Sequence, residues 1–168
     1  MRTLLILALL AATPAVAQPS AAVVDTCFVP AERCDIRIVA EIDGAQRDIL
    51  VEAYGFTSRP IIGALLRARR RGVMVQVLLD RSNEHGRATG LAAMQKAGIP
   101  VWIDHVPGIA HVKAIVIDHR VVIGGSYNYT ASAEHRNVED VTITQSPDVA
   151  EQFARNWATR QSGAETPH

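Results

Sequence analysis

Side chains suited to phosphate chemistry recur at close, fixed spacing in one stretch: His111-x-Lys113, then Ser126-x-Asn128, with Asp118 between them and Gly125 directly before the serine. Residues two apart on a strand face the same way. His111 and Lys113 therefore point into one site, and Ser126 and Asn128 share a second face. An imidazole can attack phosphorus. Lysine and asparagine can hold the non-bridging oxygens as negative charge redistributes, and a serine hydroxyl adds a hydrogen bond. No acidic cluster suited to Mg²⁺ accompanies these residues, so the expectation is phosphoryl transfer with no metal and no cofactor.

The elements that must position these groups alternate between strand and helix. Asp35 to Ile42 reads as a short helix, with Ile36, Val39 and Ile42 on one side and Gly44 as its stop. Asp48 to Phe56 reads as a strand. Ser58 is placed to cap the next helix, Pro60 sits in its first turn, Ile61, Leu65 and Leu66 form its apolar face, and Gly72 ends it. Val73 to Leu79 is a buried strand, Ser82 to Gly90 a polar loop, Leu91 to Ala97 a helix and Pro100 to Ile103 a short strand. Val112 to Ile117 and Val121 to Ile123 are two strands joined by a turn at Asp118-His119-Arg120, where the expected role of Asp118 is to hold the hairpin. Val138 to Thr144 is another strand. Ser146 and Pro147 open a last helix with Val149, Phe153 and Trp157 on its inner face, and the polar tail from Gln161 is expected to fray. Tyr127 and Tyr129 alternate with Ser126 and Asn128 and so face the core. This order predicts an α/β fold, an α-β-α sandwich around a mixed β-sheet in one domain.

Composition narrows the class. The 168 residues are 48% hydrophobic and 20% charged, with 17 basic and 17 acidic groups. That excludes extended disorder and a chain that binds polyanions through overall charge, while leaving local basic patches open. The arginines between Arg67 and Arg71 fit the dipole at a helix C-terminus, with phosphate contact as the alternative. Met1-Arg2, an apolar run from Leu4 to Ala12 and Ala15-Val16-Ala17 describe a secretory signal peptide over residues 1–17, with one domain over 18–168. The expected address is secreted or periplasmic. Cys27 and Cys34, the only cysteines, then read as a disulfide closing a small loop.

The spacing His111-x-Lys113-x4-Asp118-x6-Gly125-Ser126-x-Asn128 resembles the signature of the phospholipase D superfamily, with every defining position filled. The Cys-flanked start, Ala53-Tyr54-Gly55-Phe56-Thr57, Arg70-Arg71-Gly72-Val73 and Gly125-Ser126-Tyr127-Asn128-Tyr129-Thr130 are similar to the small single-motif branch that includes a metal-independent bacterial endonuclease. The resemblance implies a two-step mechanism. One histidine forms a covalent phosphohistidine while a second protonates the leaving oxygen and then activates water. His85, His105, His119, His135 and His168 lack the motif, so the second copy is expected from another subunit, in a two-fold homodimer sharing one site. Glu139 matches the family position whose carboxylate hydrogen-bonds the catalytic histidine.

The catalytic set is therefore His111, Lys113, Ser126, Asn128 and Glu139, with Gly125 and Asp118 structural. Trp102 and His105 are candidate substrate contacts, Trp102 by stacking on a base, and His85 is a further candidate. Asn128-Tyr129-Thr130 is formally a glycosylation sequon, read as coincidence. The leading expectation is an endonuclease of low sequence specificity acting on nucleic acid. The alternatives are a phospholipase D acting on phosphatidyl head groups and a non-catalytic nucleic-acid-binding module.

Overall fold

The computed structural model describes residues 21–86 and 88–167. The segment read as a signal peptide lies outside the described residues, as does His168. The elements in chain order are β1 (Val23–Val29), α1 (Cys34–Gly44), β2 (Asp48–Ala53), α2 (Arg59–Arg70), β3 (Met74–Asp80), α3 (Leu91–Lys96), β4 (Val101–Asp104), β5 (Lys113–Ile117), β6 (Val121–Gly125), α4 (Ala131–His135), β7 (Glu139–Gln145) and α5 (Pro147–Ser162), with a 3-10 turn at Arg81–Asn83.

The strands form one seven-stranded sheet in the order β1-β7-β6-β5-β2-β3-β4. β2, β3 and β4 run parallel, and the remaining pairs are antiparallel. The sheet is mixed and the fold α/β: helices cross between the parallel strands β2, β3 and β4, whereas β5 and β6 form a hairpin. The side chains of β2 divide the molecule. Ile49 and Val51 join the core beneath α1, α2 and α3, whereas Leu50 joins Leu78, Val116 and Val122 beneath α5. Central strands buried on both faces read as continuous apolar runs, which is why they were legible.

Four expectations change. The inner face of α5 carries Ala150, Ala154 and Trp157, and Phe153 is exposed. Small alanines let the helix lie close to the sheet, and Trp157 donates its indole N–H to the carbonyl of Val51 at 2.9 Å. The tail does not fray at Gln161: Glu165 exchanges two backbone hydrogen bonds with Ile103. Ser58 precedes α2 but its side chain caps nothing. In α1, Ile36 is exposed and the buried apolar pair is Ile38 and Ile42.

The arginines of α2 act mainly within the fold. Arg67 pairs with Asp43 at 2.7 Å, and Arg71 donates to the carbonyls of Ile42 and Ala45. Cys27 and Cys34 form a disulfide that joins β1 to the start of α1, with both cysteines fully buried. Closing so short a loop stabilises by about 2.5 kcal/mol on a chain-entropy account. Beside it, Glu134 of α4 accepts from Arg33 Nε at 2.8 Å, the Asp35 N–H at 3.0 Å and the Tyr127 hydroxyl at 3.0 Å.

Asp118 lies at the far end of β5 from Lys113. It and His119 both adopt positive φ, 54° and 52°, as a tight hairpin with the sheet's twist requires. Its carboxylate accepts from the N–H groups of Gln46, Arg47 and Asp48 at 2.7–3.2 Å. This joins the β5–β6 turn to the entry of β2 and supports the register that sets Lys113 opposite Ala53. Burial alone would raise its pKa. The three N–H donors and the charge of Arg47 outweigh burial, and the folded value lies below the ordinary one. The stability this adds is complete above the ordinary aspartate pKa of about 3.9 and is lost as pH falls through the lowered value. Replacing Asp118 by Ala is expected to cost roughly 2 kcal/mol at neutral pH. Thermal melts from pH 7 to pH 2 check this, since the variant's deficit should shrink toward the acid end.

Candidate active site

β2 and β5 carry the first half of the site. Their pairing extends one step past the strands, where the Tyr54 N–H donates to the carbonyl of Val112 at 3.0 Å. The strand begins at Lys113, one residue later than the apolar run suggests, and His111 stands on the segment leading into it. Its exposed ring meets Tyr54 edge-on, with centroids 4.8 Å apart. Lys113 is 8% exposed. Its Nζ lies 5.4 Å from the Tyr54 ring centre and donates to the His111 carbonyl at 3.0 Å. Burial pulls the pKa of Lys113 down, and the nearby Glu139 charge opposes that. An arriving phosphate would favour the charged form further. Asp80, at the end of β3, accepts the Ala110 N–H at 2.8 Å and so fixes the segment that presents His111.

The second half comes from the ends of β6 and β7. Gly125 has φ +132°, and a Cβ there would collide with the Asp140 carbonyl. Only glycine lets β6 turn into Ser126 at this point. Ser126 Oγ donates to Glu139 Oε2 at 2.5 Å and accepts the Asp140 N–H at 3.1 Å. Asn137 donates to the other oxygen of Glu139 at 2.7 Å. Tyr127 and Tyr129 point into the core, each 2% exposed. Between them Asn128 has a buried side-chain oxygen with no hydrogen-bond partner, a cost that proteins tolerate mainly at working sites. A Cβ on Gly55 would come within 3.3 Å of Asn128 Cβ and 2.9 Å of Thr130, so glycine lets the end of β2 close against this loop.

The expected bond from Glu139 to His111 is not formed within one chain. Both carboxylate oxygens are taken by Ser126 and Asn137 of its own hairpin. Trp102 is also displaced from the expected role. It packs edge-on against Trp157, 5.7 Å between centroids, on the α5 face, because strand alternation turns it there beside Leu78. His105 stays near the site, with Nε2 3.6 Å from Glu84. Together with Tyr54, Arg81, His85 and Ile109 it lines a recess of about 550 Å³. A second recess, of about 390 Å³, is bounded by His111 itself with Glu52, Asp104 and Arg160. Glu52 read only as part of the strand Asp48 to Phe56, Tyr54 only as part of the segment that carries the family resemblance, and Asp80 fell between the strand ending at Leu79 and the loop from Ser82.

A family model described as cardiolipin synthase, PLD-like domain, matches residues 38–160. The chain belongs to the phospholipase D superfamily. It is 45% identical over 139 residues to a protein of Rickettsia felis named phospholipase D, covering 83% of this chain and 70% of that one. The human mitochondrial cardiolipin hydrolase is 31% identical over 125 residues, 72% of this chain and 50% of that one. The crystal structure of Nuc from Salmonella typhimurium, a phospholipase D family member, superposes with a TM-score of 0.81 at 33% identity, covering 87% of this chain and 98% of Nuc. NucT from Helicobacter pylori shares the fold, with a TM-score of 0.80 at 20% identity. The chain is a phosphodiesterase of this superfamily, a hydrolase with the superfamily's α/β fold. Among the described residues, no helix is long and apolar enough to cross a membrane.

Proposed function

We propose that this phosphodiesterase is a secreted or periplasmic endonuclease of low sequence specificity that needs no metal and works as a homodimer. The observation that carries the chemistry is the exposed ring of His111, which makes no hydrogen bond among the described residues and stands beside the buried ammonium of Lys113. His111 attacks phosphorus, and the bond to the leaving alkoxide breaks. A protonated second histidine gives that oxygen its proton. The same histidine then takes a proton from water, whose oxygen displaces the imidazole and releases the phosphate product. Lys113 and Asn128 hold the non-bridging oxygens, where charge grows in both transition states. The second histidine is His111 of a second copy, so the two subunits share one site.

Nucleic acid is favoured as substrate by the resemblance to the single-motif endonuclease branch, and the larger recess adds the guanidinium of Arg81 and the rings of Tyr54, His85 and His105, beside the acids Asp80 and Glu84. The Rickettsia relatives named phospholipase D support a second reading, hydrolysis of phosphatidyl head groups. Plasmid DNA and phosphatidylcholine vesicles, each incubated with the purified protein in excess EDTA, separate the two. Nicked plasmid is the expected result. Release of choline without nicking would overturn the nuclease reading and leave the phosphodiesterase standing.

A further inference from the structure

The recess between His111 and α5 holds a carboxylate that accepts no hydrogen bond among the described residues. Its volume, about 390 Å³, falls in the range of small-ligand sites, roughly 300–1,000 Å³. Two acids line it. Asp104 is fully engaged: Arg160 grips both its oxygens, at 2.7–3.0 Å. Glu52 is different. It is 5% exposed on the central strand β2, and among the described residues no group donates a hydrogen bond to it. Burial raises its pKa, the Asp104 charge adds to that, and the Arg160 charge opposes it. Strand alternation points Leu50, two residues earlier, into the core beneath α5, and an apolar residue would suit the position of Glu52 equally well. The Glu52 oxygens are not enclosed by protein and open onto the recess, where the N–H groups of a ligand reach them.

His111 forms one wall, so a phosphodiester held at His111 has this recess within reach of one of its two substituents. We propose that the recess takes the base of a nucleotide flanking the scissile phosphate, and that Glu52 reads the N–H groups on the base's edge. This rests on the nuclease reading above. Two carboxylate oxygens match two parallel donors best. Guanine offers such a pair in N1–H and its amino group, whereas thymine offers one N–H. The enzyme therefore prefers guanine at one position next to the cut and tolerates every base elsewhere.

The test uses single-stranded DNA of random sequence and maps the cleavage sites. The wild type should cut with guanine over thymine at one flanking position by about tenfold, the scale of one good bidentate base contact. Inosine, which lacks the amino group, should lose most of that preference. In Glu52→Gln and Glu52→Met the guanine-to-thymine ratio should collapse toward one. A flat wild-type profile, or a profile that both variants leave unchanged, would overturn the base pocket while the nuclease reading stands. Failure to cut DNA, with hydrolysis of bis(p-nitrophenyl) phosphate retained, would overturn both the nuclease reading and the pocket. Glu52-dependent hydrolysis of phosphatidylethanolamine in place of DNA would put a head-group amine in the recess and overturn the base assignment.

Discussion

His111→Ala abolishes turnover, by at least about 10⁴-fold in kcat/KM, the scale seen when a covalent nucleophile is removed. The melting temperature stays within a degree or two of the wild type, because the ring is exposed and its recorded contact is the edge of Tyr54. Lys113 and Asn128 remain to bind phosphate, so affinity for substrate falls far less than rate. A non-catalytic binding module would show the opposite pattern, with no turnover to lose. The shared site adds a second consequence. When wild-type subunits exchange with a ninefold excess of His111→Ala subunits, about one in ten keeps a wild-type partner. Activity per wild-type subunit should then fall about tenfold. If it is unchanged, each subunit works alone and the two-histidine mechanism is wrong.

Glu134→Ala has the largest expected effect on stability. The acid is nearly fully buried and joins three parts of the chain: Arg33 before α1, the first turn of α1 through the Asp35 N–H, and the hydroxyl of Tyr127 on the loop that carries Ser126 and Asn128. Truncation leaves the Tyr127 hydroxyl and a buried N–H without acceptors. At roughly 1–3 kcal/mol for each unsatisfied group, the expected loss is about 3–5 kcal/mol. Arg33 adds little to that sum, since it is largely exposed and keeps its pair with Asp35 at 3.0 Å. Denaturant unfolding measures the loss. Below the transition, activity per folded molecule should fall only modestly, because Glu134 supports the loop and does not reach the site.

The site was largely legible because its chemistry depends on local spacing. His111 and Lys113 sit two apart at the entry of one strand. Gly125 follows from a backbone that no other residue can adopt there. What escaped is what depends on tertiary neighbours. The hydrogen bonds that Ser126 and Asn137 make to Glu139 carried no sequence signal, because the hairpin alone brings them together. Trp102 looked available to substrate until strand alternation set it against Trp157. The face of α5 was misplaced because Phe153 outweighs Ala150 and Ala154 in hydrophobicity, while close approach to the sheet favours the smaller residues. β1 went unread because Asp25 and Thr26 interrupt its apolar pattern and it pairs along one edge only, with β7. The five residues of α4 offer too little periodicity to identify a helix.

The central claim is a covalent bond between phosphorus and His111. Rapid mixing of the enzyme with excess single-stranded oligonucleotide, quenching in base and digestion for mass spectrometry tests it most directly. The expected peptide spans His111 and carries a nucleotide attached at the imidazole, stable in base, lost in acid and missing from Lys113→Ala samples quenched at the same early time. Product accumulating at full rate while His111 stays unmodified at every time point would contradict the account, since water would then be attacking phosphorus directly.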